Sequence, residues 1–187
     1  MPVLQRALKK AGAELKDIKR IFFVRGPGRF TGIRISLTFA SMLKTLNGAQ
    51  VRSATLFEIL RYQAEHSHAY QSWRAEYPRG VLAVVLHAFR EEYFLQFFDD
   101  TITQPKWLSK EELLAQISAR KEPIYCIGTD KDGESLSLLL GEKCRLAPLA
   151  ECRVHAQTLI EMSSNFMYEQ NALEPLYLKP ARFELMK

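Results

Sequence analysis

The run Ile21-Phe22-Phe23-Val24 leads straight into Arg25-Gly26-Pro27-Gly28-Arg29-Phe30-Thr31-Gly32, and apolar residues then recur at Ile33, Leu37, Ala40, Leu43 and Leu46. No other feature restricts the chain as much. A short continuous apolar run predicts a buried strand. The glycines and proline that follow cannot extend either regular element, so the chain must turn there. Apolar spacings of three and four predict a helix over 33–46, stopped by Asn47-Gly48. Strand, glycine loop and helix in that order open an α/β layer. The loop itself has two readings. Free N–H groups at the helix start, its dipole and the charges of Arg25, Arg29 and Arg34 suit an anion. Against that, neither GxxxxGK[ST] nor GxGxxG is present, which leaves a tight structural turn as the competing reading. Gly32 is expected to take the left-handed backbone that a β-branched residue resists.

The remaining pattern is also mixed. Val3, Leu4, Ala7, Leu8 and Ala11 predict an amphipathic helix over 2–12. Residues 49–52 suit a short strand, and Thr55 with Glu58 suits a capping box opening a helix to about His66. The polar and aromatic stretch 67–79 reads as a boundary between lobes. Val81–Leu86 and Tyr93–Phe98 read as an antiparallel hairpin. Ser109 and Glu112 cap a helix to about Ala119, and Ile124–Ile127 is a strand ending in a Gly128-Thr129-Asp130 turn. Residues 134–140 are expected to be helical, Cys144–Leu146 an edge strand and 154–168 the last helix. Prolines keep the 173–180 tail extended. The expected domains are 1–66, a link at 67–79, and 80–187.

Charge is unevenly placed. Residues 1–52 carry eleven Lys/Arg against two acids, Glu14 and Asp17, while the rest carry fifteen against nineteen, for a net +5. A basic front attracts phosphate, nucleic acid or an acidic protein, or is simply a solvated surface. No aromatics are interleaved with these bases as in a single-strand binder. Hydrophobic residues make up 47% of the 187, which excludes disordered and collagen-like chains. No apolar run is long enough for a membrane helix, and the charged N-terminus is unlike a signal peptide. Cys126, Cys144 and Cys152 form an odd set without CxxC, so reduced thiols in a cytoplasm are expected.

Read as one motif, GPGRFTGIRIS resembles the GPGSFTGLRIG signature of the TsaB (YeaZ) family. These are paralogues, in the actin-like (ribonuclease H-like) two-lobe fold, of the TsaD/Kae1 family (Gcp-like, M22 glycoprotease superfamily). Gly26, Pro27, Gly28, Phe30, Thr31, Gly32 and Arg34 match in place, Ile33 replaces leucine, and Arg29 replaces a small residue. Ser53–Leu60, Leu86–Tyr93, Ile127–Asp130 and Pro175–Lys179 resemble further family segments in the same order. The resemblance implies a non-catalytic scaffold subunit in tRNA threonylcarbamoyladenosine biosynthesis, acting beside the anticodon through its partners. It implies pairing with a TsaD-like catalytic subunit, a TsaE-like ATPase in the same complex, a homodimer as the other use of the same surface, and only indirect contact with tRNA. It implies no intrinsic cofactor, with ATP or ADP only at the partner interface. The helices at 2–12 and 33–46 are then the contact helices, with Val3, Leu4, Ala7, Leu8, Leu37, Phe39 and Met42 as contact residues.

Two departures from the family pattern stand out. The family has three strands before the helix that here begins at Pro2, so the first lobe is expected to be N-terminally incomplete, with an exposed edge on strand 21–24. His87 and Phe89 stand where the family has Asp and Arg. Among candidate chemical groups, His66 and His68 lie two apart and do not share a helical face. Asp130-Lys131-Asp132-Gly133-Glu134 is too short for a calcium loop and reads as a turn. Ser36 reads as a helix residue, and no catalytic residue or metal site is expected. The alternative class is an actin-like nucleotide-binding ATPase or phosphotransferase, and a metal-dependent peptidase is the third.

Overall fold

The computed structural model describes residues 2–99, 103–164 and 173–179. Two compact units divide the chain, Met1–Thr55 with Leu159–Leu176, and Leu56–Thr158 with Tyr177–Lys187.

In the first unit, α1 (Pro2–Ala11) leads through a 3-10 turn to β1 (Arg20–Val24), then α2 (Phe30–Asn47) and β2 (Gln50–Ala54). β1 and β2 pair in parallel from Arg20↔Gln50 to Val24↔Ala54. Parallel neighbours need a crossover, and α2 supplies it. Ile33, Ala40 and Leu43 are the buried residues of α2. Its end is set by Gly48, whose φ of 64° is left-handed and whose N–H meets the carbonyl of Lys44 at 3.1 Å. α2 begins three residues earlier than the apolar spacing suggested, because the first turn needs no buried residue. No strand borders the outer edge of β1 among the described residues. The chain returns to this unit late. Arg52 donates to the Ser163 carbonyl at 2.5 Å, and the Leu176 N–H donates to the Arg25 carbonyl at 2.8 Å. This differs from the expected division, which gave everything after residue 80 to the second lobe. Such long-range bonds leave no periodic signal.

The second unit holds α3 (Leu56–Glu65), α4 (His68–Glu76), β3 (Val81–Phe89), β4 (Glu92–Phe98), β5 (Lys106–Ser109), α5 (Lys110–Ser118), β6 (Ile124–Thr129), α6 (Ser137–Leu140) and β7 (Arg145–Leu146). α7 (Ala156–Ser163) crosses the division between units. The sheet order is β5-β4-β3-β6-β7. β3 is antiparallel to β4 and parallel to β6, and β7 is the expected edge strand. Side chains alternate along β3. Val81, Ala83 and Val85 pack in one core with Leu113, Ile117, Cys126 and Leu140. The residues between them, Leu82, Val84 and Leu86, are buried too, as are Phe57, Ile59 and Leu60 of α3. A strand covered on both faces reads as a continuous apolar run, which is why β3 was legible.

α4 occupies most of the stretch expected as a link. Ser67 caps it, accepting the Tyr70 N–H at 3.2 Å, and Tyr70 and Trp73 are buried against Tyr125. Gly128 lies inside β6, paired with Val85, and is not a terminal turn. Ser109 and Glu112 form the expected reciprocal cap on α5. β5 and α4 were not anticipated as elements. The last helix is described only to Ser163, and the expected stretch 165–168 and Pro180 lie outside the described residues. Asp130 accepts the Tyr93 hydroxyl at 2.8 Å and the Lys131 N–H at 2.7 Å, which fixes the expected turn.

Candidate partner-binding face

The glycine loop is held at both ends by backbone. The Arg25 N–H donates to the Ala54 carbonyl at 3.0 Å, and its own carbonyl accepts Leu176. The Gly26–Pro27 bond is cis, and Gly26 has φ 123°. A Cβ on Gly26 would lie 2.6 Å from the Leu176 carbonyl oxygen, so only glycine fits this passage. Gly28 passes close over Ile33, and Pro27 and Ile33 are buried. The special backbone is therefore at Gly26. Gly32 corrects its expectation: it sits in the first turn of α2, is not left-handed, and has open space where a Cβ would go.

Arg29 occupies the cap position of α2 without a side-chain cap, and the Arg34 guanidinium lies over the Phe30 ring at 4.8 Å. Phe30, Thr31, Gly32, Arg29 and Arg34 are exposed, whereas Arg25 is half-buried. The loop thus brings the start of α2 to solvent, and it positions everything downstream on α2. Ser36 behaves as a helix residue, its hydroxyl donating to the Gly32 carbonyl at 3.1 Å.

With Ile33, Ala40 and Leu43 buried, the opposite side of α2 faces outward. Ile35 is 65% exposed, Met42 38% and Leu46 72%, with Phe39 half-buried between them. Their spacing of four, three and four is that of a helix–helix seam. Leu46, one of the apolar positions whose spacing predicts the helix, is on this outward side. An open groove of about 580 Å³ runs along this side, lined by Leu37, Thr38, Ser41, Met42, Thr45, Leu46 and Leu173. Of the named contact residues, Met42, Val3 and Ala7 are exposed, while Leu37, Phe39, Leu4 and Leu8 are half-buried. The sequence reading missed Ile35 and Leu46, which the heptad spacing around Met42 would have found.

No group of three or more His, Cys, Asp or Glu is arranged to hold a metal among the described residues. Three of the four histidines lie against nearby backbone carbonyls. His66 Nδ1 lies 2.8 Å from the Tyr62 carbonyl, His87 Nε2 2.7 Å from that of Arg90, and His155 Nε2 2.8 Å from that of Ala150. No described helix is long and apolar enough to cross a membrane.

Fold and site together define an α/β protein of the actin-like class, whose glycine loop feeds a helix with a solvent-facing apolar seam. Residues 1–84 match the family model described as TsaD, tRNA N6-adenosine threonylcarbamoyltransferase. The chain is 28% identical over 97 residues to the tRNA threonylcarbamoyladenosine biosynthesis protein TsaB of Buchnera aphidicola subsp. Schizaphis graminum, a stretch covering 52% of this chain and 42% of that one. It is 29% identical over 100 residues to TsaB of Escherichia coli K12, covering 54% and 40%. The matched stretch thus spans about two-fifths of the curated relatives' length. The structure of YeaZ from Pseudomonas aeruginosa superposes with TM-score 0.61 at 20% identity, covering 95% of this chain and 82% of that one. A second structure, titled as an uncharacterized protein with similarity to peptidase YEAZ from the same organism, gives TM-score 0.62 at 19% identity with the same coverage. Over about half of its length the chain is thus similar to proteins named TsaB, and its fold is similar to that of YeaZ.

Proposed function

We propose that this chain is a scaffold subunit of tRNA threonylcarbamoyladenosine biosynthesis, which binds and supports a TsaD-like catalytic subunit and carries no catalytic residue itself. The observation that carries the reading is the outward seam of Ile35, Phe39, Met42 and Leu46 on α2. Exposed apolar residues at heptad spacing gain from burial against a second helix, at about 25 cal/mol per Å² of apolar area removed from water. The names of the TsaB relatives supply the pathway. In this reading the subunit works in the cytoplasm, a TsaE-like ATPase joins the same complex, homodimers use the seam when the partner is absent, and ATP or ADP is held only where the partner closes on the chain. tRNA is then bound through the partner.

Light-scattering mass on a sizing column tests this, with the chain alone and mixed with the TsaD-like protein of the same cell. A stable one-to-one complex is expected. A folded chain that stays apart from that protein at micromolar concentration overturns the reading.

A further inference from the structure

The sheet of the second unit carries a seat for a positive charge. Phe89, at the end of β3, pairs with Glu92 at the start of β4, and Trp107 of β5 pairs with Phe94, two residues along β4 from Glu92. Directly opposed residues share a face, and so do residues two apart on one strand. Phe89, Glu92 and Trp107 therefore lie on one face of the sheet. Lys179 of the tail sits among them. Its ammonium lies 5.0 Å from the centre of the Trp107 ring and 5.6 Å from that of Phe89, and it forms an ion pair with the Glu92 carboxylate. All four residues belong to the same unit.

The surroundings favour this contact. The Lys179 and Glu92 side chains are 34% and 28% exposed, so water screens the pair only in part. The Trp107 Nε1 is buried without a hydrogen-bond partner among the described residues, so the indole contributes its ring face there and not its N–H. The Arg90 guanidinium lies over the same Phe89 ring at 5.2 Å, which leaves Trp107, the nearer ring, and Glu92 as the main holds on Lys179. Phe89 is 56% exposed, so the outer side of the seat is open to solvent.

We propose that Phe89, Trp107 and Glu92 form a binding site for an alkylammonium ion, with Lys179 as its resident ligand, so that the tail is held by charge and the vacated site accepts a lysine-like ammonium from solution. The seat fits that class of ligand and no other. Both ring faces present the negative side of their quadrupole to a cation, and the carboxylate completes the neutralisation. A neutral side chain of the same length gains nothing from the rings as a charge and leaves Glu92 without its counter-charge. An anion is repelled by all three groups.

Two readouts on the full chain test this. The first is chymotrypsin cleavage after Tyr177, identified by mass and scored against free peptides of the same sequence. Lys179→Gln should speed cleavage of the folded chain by about tenfold, and Glu92→Gln should act in the same direction. In the native chain, raising sodium chloride from about 0.05 to about 1 M should also speed it, because salt screens a partly exposed ion pair. The second readout is tryptophan emission, with Trp73, buried against Tyr70 and Tyr125, as a constant background. Lys179→Ala empties the seat, and millimolar n-butylammonium should then change the emission saturably. The native chain and the Lys179→Ala/Glu92→Gln double variant should not respond. Native-like cleavage of Lys179→Gln, or native cleavage indifferent to salt, would overturn the charge-held tail. A Lys179→Ala chain that shows no saturable response would overturn the binding site.

Discussion

Gly26 and Gly32 sit in one motif and do different work. Gly26 has a left-handed φ and faces the Leu176 carbonyl, so a methyl group there meets both backbone strain and an oxygen at 2.6 Å. Gly26→Ala is expected to cost about 2 kcal/mol or more, read as a lower urea midpoint at unchanged slope. Gly32 is helical with open space beside it, and Gly32→Ala should leave stability unchanged or raise it by about 0.5–1 kcal/mol. The same measurement on both variants separates backbone need from helix entropy. The sequence points to Gly32 as the left-handed position and the structure puts it at Gly26, since a glycine letter carries no φ.

At the scale of elements, β6 and α2 make opposite demands. β6 passes so close to β3 that a Cβ on Gly128 would lie 1.8 Å from the Val85 carbonyl oxygen, and its φ is 139°. Gly128→Ala is therefore expected to open the central strand pair, with a loss of about 3 kcal/mol or more and a lowered Tm. α2 leaves its seam unsatisfied within this unit. Met42→Glu with Leu46→Glu should leave the Tm of the isolated chain within about 3 °C, since surface changes rarely exceed about 0.5 kcal/mol. The pair should abolish complex formation, read as the loss of the heavier species on the sizing column. Much of this level was legible. The β3–β4 hairpin, α2 and the α5 cap followed from run length, period and capping chemistry. α4 reads as a link in the sequence because its polar residues mask the Tyr70/Trp73 stripe, and β5 is a short edge strand with only a weak pattern.

For the molecule as a whole, alkaline pH probes the packing. Burial first, and the Glu151 carboxylate second, push the Tyr125 phenol up to about 12 from an ordinary 10. Burial also raises Tyr93, with the hydrogen bond to Asp130 adding to it. Each phenol is protonated in the folded chain where the unfolded chain has begun to lose its proton. The unfolded state then binds fewer protons, so stability falls as pH rises. The contribution is intact below pH 10 and is lost between pH 10 and 12. Urea midpoints should fall across that window, and Tyr125→Phe should flatten the decline. A decline of equal steepness in the variant would show that Tyr125 is not its source.

The sequence alone determined the α/β class, the strand–loop–helix unit, the central hairpin and the family resemblance. Those are local properties, set by run length, helical period and a contiguous motif. Only the tertiary structure decided which glycine is indispensable, that residues near Ser163 and Leu176 bond back to the first unit, and which side of α2 stays in water. Each of these depends on what lies across from a residue, and that neighbour comes from more than a hundred positions away in the case of Ser163 and Arg52. Period can show that a helix has an apolar stripe, but burial of Ile33, Ala40 and Leu43 against other elements is what leaves Ile35, Met42 and Leu46 exposed.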